Sequence, residues 1–143
     1  MATIRREFRS PRSAADVWGV LKKFDQVHDL AKGFVTATKM EGDRVRVVTF
    51  ANGMEIREHL VSADDAERRL VYAITDSPRY THYSASAQVF ADGDGSRFVW
   101  TVDFLPDEMA AMQGAAMDAG AEAMRKALQQ RAASWAIPGA PFR

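Results

Sequence analysis

Cysteine is absent from this chain, which excludes disulfides, thiolate nucleophiles and cysteine-based zinc sites together. Neither sign of charge is in excess: 19 Lys and Arg offset 19 Asp and Glu, so net charge supplies no pull toward nucleic acid or an anionic membrane. No apolar run approaches the ~18 residues that a membrane-spanning helix needs, so no membrane insertion is expected. Met1-Ala2-Thr3-Ile4-Arg5-Arg6 lacks the apolar core of a secretory signal, and the expected compartment is the cytoplasm. Histidine is scarce, and His28, His59 and His82 show neither H-x-x-x-H nor H-x-E spacing. No metal is expected. Without a P-loop, a G-x-G-x-x-G or a G-x-S-x-G, no nucleotide or other cofactor is expected either.

What the chain does contain is an informative order of elements. At 143 residues it has the length of one domain, enough to bury roughly 68–70% of its unfolded surface. Thr3 to Arg9 alternates, with Ile4, Arg6 and Phe8 on one face, and reads as an edge strand stopped by Ser10-Pro11. Ser13 with Asp16 three residues later resembles a capping box, and Val17, Leu21 and Phe24 then share a helical face that Trp18 and Val20 widen. Asp25 to Lys32 predicts a second short helix ended by Gly33.

Six strands are expected next: 34–41, 44–51, 54–62, 68–75, 82–91 and 96–105. Asn52-Gly53 predicts a two-residue type I′ hairpin, in which both central residues need positive φ. Asp92-Gly93-Asp94-Gly95 marks a second hairpin, and the charged run Asp64 to Arg69 reads as a solvated turn. Consecutive strands joined by tight turns pair as antiparallel neighbours, and a sheet of this size curls. Pro106, with Asp107 and Glu108 behind it, opens a long helix to about Ser134. One helix cannot fill the concavity of such a sheet. The pattern therefore predicts an α+β fold: a curved antiparallel sheet of six to seven strands around a long C-terminal helix, two short helices near the N-terminus, and a cavity between.

The strand carrying Glu58 is where chemistry is expected. Met54, Ile56, Glu58 and Leu60 share one face, and Glu55, Arg57, His59 and Val61 the other. A carboxylate on an otherwise apolar, inward face needs a cation, donors or water. Two readings stay open: a Glu paired with an Arg at the sheet rim, or a polar anchor or acid/base group in an apolar pocket. Tyr83 is its expected companion, because Ala85, Ala87 and Val89 on the same face leave space beside a phenol. Tyr72 alternates likewise with Leu70 and Ile74, and Trp100 with Phe98, Val102 and Phe104. On the long helix, Met109, Met112, Ala116, Gly120, Ala123 and Ala127 mark one face, and Met117, Ala121, Met124 and Leu128 an adjoining one. Either stripe is adequate as core, and part of it is expected to line the cavity.

At these residues the chain resembles a known family. Glu58-His59-Leu60-Val61-Ser62-Ala63-Asp64-Asp65, then Leu70-Val71-Tyr72, Trp100 and Pro106, are similar to the bacterial polyketide cyclase/dehydrase-like proteins. These belong to the superfamily of START lipid-transfer domains, the birch-pollen allergen and the plant abscisic acid receptors. The resemblance implies a helix-grip fold over nearly the whole chain, with residues 1–134 as one ligand-binding domain and 135–143 as a tail. It places Glu58 where the receptors carry a glutamate near the ligand's polar groups, Tyr83 where they carry a contacting tyrosine, and Arg79-Tyr80 in the region of their latch loop. Ala51-Asn52-Gly53-Met54 is too short for the proline-containing gate of those receptors.

The expected function is binding of a hydrophobic or amphipathic small molecule (lipid, isoprenoid or polyketide-like) in an internal cavity. The alternative is a polyketide cyclase, dehydratase or aromatase in which Glu58 and Tyr83 move or orient protons. The expected ligand-facing residues are Glu58, Tyr72, Tyr80, Tyr83, Ala85, Trp100, Met112, Ala116, Met117 and Gly120. A protein-interaction module is a third, weaker reading, which requires a filled interior and an exposed apolar patch. In the tail, Trp135 and Phe142 are apolar enough to pack on the domain or on a second copy, as in a homodimer.

Overall fold

The computed structural model describes residues 1–136, with side chains through 129. The tail proposed at 135–143 lies outside those residues, except that the last helix continues to Ala136. Seven strands form one antiparallel sheet in the order β1-β7-β6-β5-β4-β3-β2. They are β1 (Ala2–Ser10), β2 (Val35–Glu41), β3 (Val45–Phe50), β4 (Glu55–Asp64), β5 (Arg69–Ala73), β6 (His82–Asp92) and β7 (Gly95–Leu105). The six expected strands after the N-terminus are all present, and the first strand closes the far edge by pairing with the last. Three helices complete the described residues: α1 (Ala14–Leu21), α2 (Val27–Leu30) and α3 (Ala110–Ala136).

Local chemistry accounts for the helix starts. The Ser13 hydroxyl accepts from the Asp16 N–H at 3.2 Å and caps α1. The capping box is half made, because the Asp16 carboxylate binds the Arg12 guanidinium at 2.6 Å instead of returning to Ser13. The second short helix is also shorter than expected: Phe24–Gln26 is a 3₁₀ turn, and α2 spans only Val27–Leu30. Val17, Trp18, Leu21 and Phe24 are buried as their spacing predicts. The charged run at 64–69 is exposed but does more than meet solvent. Asp64 accepts from the Ala66 and Glu67 N–H groups, and Asp65 accepts from the Trp18 indole at 2.8 Å, tying α1 to the β4–β5 turn.

One turn departs from expectation, with consequences for the site. The connection between β3 and β4 has positive φ only at Gly53 (φ 89°) and not at Asn52. The Gly53 N–H donates to Phe50 O at 2.9 Å, so Ala51 and Asn52 are the central residues and Gly53 follows in the left-handed region. This is a type I turn with a glycine bulge, not a type I′ turn. A type I′ turn over Asn52-Gly53 would set Ala51 opposite Met54 and therefore Arg46 opposite His59. The observed register sets Arg46 opposite Glu58 and Val48 opposite Ile56.

The long helix α3 lies across the concave face and buries Gln113, Met117, Met124, Ala127 and Leu128, a set spaced by three and four residues. The buried face is centred on Gln113 and Met117, so Met112, expected inside, is 53% exposed. Arg6 on β1 reaches Asp118 on α3 at 2.6 Å. None of the described helices is long and apolar enough to cross a membrane.

Candidate functional site

Between the sheet and α3 lies a cavity of about 570 Å³. Its floor comes from alternate residues of β3 to β7, including Arg46 and Val48, Ile56 and Glu58, Leu70 and Tyr72, Tyr83 and Ala87, and Phe98 and Trp100. Its roof comes from Met112, Gln113, Ala116, Met117, Gly120 and Met124 of α3. Exposed lining residues Ala51, Asn52, Arg79 and Met112 mark its mouth. The volume falls within the range common for small-molecule sites, and most of the lining is apolar.

The structure brings Glu58, Tyr72, Tyr80, Tyr83, Trp100, Met112, Ala116, Met117 and Gly120 to this cavity. Ala85 is not among the lining residues. Its cross-strand neighbours are Tyr72 and Val102, both larger and both buried, so its methyl group ends in packed core. Ala87, two residues further on the same face, reaches the void instead. None of the histidines lines it. His59 lies beside Thr75 at 3.2 Å and His28 beside Thr38 at 2.9 Å. Among the described residues no cluster of three or more His, Asp or Glu side chains could hold a metal ion.

Glu58 faces inward and is paired. The Arg46 Nε donates to Glu58 Oε1 at 2.8 Å, and the two side chains are 5% and 9% exposed. A second Arg46 nitrogen donates to Phe24 O at 3.1 Å, and the guanidinium lies 4.0 Å from the centre of the Phe24 ring. The pair is deep inside rather than at the sheet rim. Sequence reading missed Arg46 because the face it occupies depends on the β3–β4 register. With the glycine-bulge turn recognised, Arg46, Val48 and Phe50 align with Glu58 and Ile56, and the partner becomes readable.

Around this pair sits a network of phenols. The Trp100 indole N–H donates to the Tyr72 hydroxyl at 3.1 Å. Gln113 Nε2 donates to the Tyr83 hydroxyl at 3.1 Å, and the Tyr80 hydroxyl donates to Gln113 Oε1 at 2.6 Å. Gln113 thus joins α3 to both tyrosines; it was visible in the sequence only as a polar residue in line with Met117 and Met124. Tyr72 and Tyr83 are diagonal neighbours on the inner face of β5 and β6. Each spends its oxygen as an acceptor, and among the described residues neither O–H has an acceptor of its own. Burial is the main cause holding both phenols above the usual tyrosine range. The Glu58 charge adds to it in both, and at Tyr83 the neighbouring Tyr72 contributes as well. The neutral donor form is therefore strongly favoured.

Gly120 permits the close approach that shapes the wall. A Cβ there would stand 3.1 Å from the Phe34 ring and 3.2 Å from the Trp100 ring.

A curved seven-stranded antiparallel sheet holding one long helix over a cavity defines the helix-grip fold of the START and birch-pollen-allergen superfamily. Within it, this chain belongs to the family described as polyketide cyclase / dehydrase and lipid transport, whose model matches residues 1–135. The protein XoxI of Bacillus cereus is similar at 27% identity over 90% of this chain and 96% of its own, with a TM-score of 0.79. A Thermobifida fusca protein is 29% identical over 90% of this chain and 93% of its own, with a TM-score of 0.74. Norcoclaurine synthase of Thalictrum flavum, in complex with dopamine and hydroxybenzaldehyde, shares the fold at 19% identity. That match covers 93% of this chain and 87% of the synthase, with a TM-score of 0.74. No curated protein matches the chain.

Proposed function

We propose that the protein binds an apolar or amphipathic small molecule, of the lipid, isoprenoid or polyketide class, that presents a carbonyl or similar acceptor to Tyr72 and Tyr83. The observation that carries this reading is the pairing of a cavity of about 570 Å³ with two buried phenols whose protons have no acceptor among the described residues. Buried donors without partners are costly, so a ligand oxygen placed there gains what the protein alone forgoes. The Arg46–Glu58 pair leaves the interior formally neutral, which suits an uncharged ligand core. The description of the family, polyketide cyclase / dehydrase and lipid transport, supports the same classes.

Native mass spectrometry of freshly purified protein, followed by organic extraction, tests it. The expected result is a retained apolar metabolite, released by solvent and held less by a Tyr72→Phe/Tyr83→Phe variant. Protein that carries nothing and fails to take up any neutral apolar probe overturns the reading.

Cyclisation or dehydration of a bound polyketone is the second reading, favoured by the same two phenols. Two neutral donors at one carbonyl stabilise the negative charge that enolisation develops on its oxygen. In that reaction Tyr83 donates to the carbonyl oxygen, and the proton leaving carbon goes to the second oxygen of Glu58, the first being held by Arg46 Nε. Multiple turnover of a supplied polyketone, lost in Tyr83→Phe, would establish it. Full turnover by Glu58→Gln would remove the carboxylate from the mechanism.

A further inference from the structure

We infer that the ligand is an amphipath with a carboxylate end, and that Arg79 at the cavity mouth is the residue that selects it. The inference rests on the binding reading above and adds the chemistry of the ligand's outer end. Among the described residues, the charged side chains that line the cavity are Arg46, Glu58 and Arg79. The first two neutralise each other. Arg79 is exposed, and among the described residues it has no carboxylate partner. Asp76, the acid closest to it in the same connection, is turned to Arg57 at 3.9 Å.

Its contacts are unusual for an arginine. One guanidinium nitrogen lies 2.7 Å from Met54 Sδ and another 3.4 Å from Met112 Sδ. Thioether sulfur is a weak acceptor, so a cation with five N–H donors meets only poor partners here. The two methionines belong to opposite sides of the opening, one just before β4 and one on α3, and the guanidinium bridges them. A carboxylate arriving at that point offers two strong, charge-assisted acceptors in the planar arrangement that a guanidinium matches. Methionine side chains are flexible enough to yield the position. The ligand's apolar body would then run inward over Met117 and Trp100 toward the two phenols.

The test uses the full chain and three probes of equal chain length: dodecanoate, dodecan-1-ol and methyl dodecanoate, below their aggregation limits. Calorimetry or quenching of tryptophan fluorescence reads the dissociation constants at neutral pH. The expected result is that dodecanoate binds at least tenfold tighter than the alcohol or the ester. Arg79→Gln should remove most of that preference while leaving alcohol binding within twofold, and Arg79→Lys should keep part of it. Raising the salt concentration should weaken only the acid, since the contact is at the surface. Equal binding of acid and alcohol to the unaltered protein, or equal weakening of both by Arg79→Gln, overturns the role of Arg79 and leaves the cavity reading standing. Binding of none of the three overturns the role of Arg79, and the cavity reading falls with it only when the extraction described above also recovers nothing. Arg79 is exposed in a connection, and circular dichroism of each variant verifies that the fold is kept.

Discussion

Arg46 and Glu58 stand directly opposite each other on β3 and β4 and join at 2.8 Å in an almost fully buried ion pair. Both side chains have given up water, so the pair is sensitive to the loss of one member. Arg46→Met or Glu58→Leu alone should cost about 3–5 kcal/mol, because a single buried charge remains. The double variant should recover most of that loss. Chemical denaturation of the four proteins of the cycle measures it. Near-additive losses would mean that the pair is not closed to solvent.

The pair depends on the turn before it. Gly53 at φ 89° occupies a region that other residues enter at a cost of about 1–2 kcal/mol. Gly53→Ala should therefore destabilise by at least that amount. Any tendency toward a shifted β3–β4 register would expose Arg46 as well. Hydrogen exchange of the β3 and β4 amides should report loosening concentrated there. Protection unchanged across both strands would contradict the link.

Tyrosine titration offers a solution test of the interior. All three tyrosines of the chain have phenols held above their ordinary value of 10, with burial the leading cause in each. The folded protein should thus show a deficit of tyrosinate absorbance near pH 10, restored when denaturant exposes the rings. The sign for stability follows. Below about pH 10 the phenols are protonated in both states and contribute no slope. Above it the unfolded chain loses protons first, so stability falls as pH rises until the folded phenols also ionise. A native titration that coincides with the unfolded one would show that the cavity is wet and open.

Gln113 should prove more than a helix residue. Gln113→Leu removes the bridge between Tyr80 and Tyr83 while keeping bulk, at an expected cost of about 1–3 kcal/mol for the partners left without it. The Tyr83 phenol should move further up, since the Gln113 bond is the one influence pulling it down. Denaturation midpoints and the tyrosine titration together check this. Unchanged stability would mean that water replaces the amide.

Filling the cavity should separate binding from folding. Ala116 lines the roof and is only partly buried, so Ala116→Phe can project into the void without displacing packed core. Stability should change by less than about 1.5 kcal/mol, while uptake of apolar probes should fall at least tenfold. Undiminished uptake would place the binding surface elsewhere.

Much of this was legible in the residues. Alternation identified all seven strands, and with it the inward faces of Glu58, Tyr72, Tyr83 and Trp100, because side chains in a strand change sides at every residue. Spacing placed Gly120 on one face of α3 and Met117 and Met124 on the adjoining one, and all three line the cavity. Arg46 was missed because alternation says nothing about how one strand registers against the next; a single turn residue, Asn52, decided that by keeping negative φ. Ala85 was assigned to the cavity because equivalence along a strand face does not tell which methyl group meets a void and which meets Val102. Gln113 and Arg79 carried no pattern of their own.

The chain by itself determined which residues are strand and helix, which faces turn inward, and that one acid accompanies the aromatics there, since these follow from local periodicity and the cost of burying polar groups. Only the tertiary structure decided what that acid meets and where the hollow lies. Pairing across strands and the position of α3 depend on contacts between residues far apart in the chain, which no local pattern encodes.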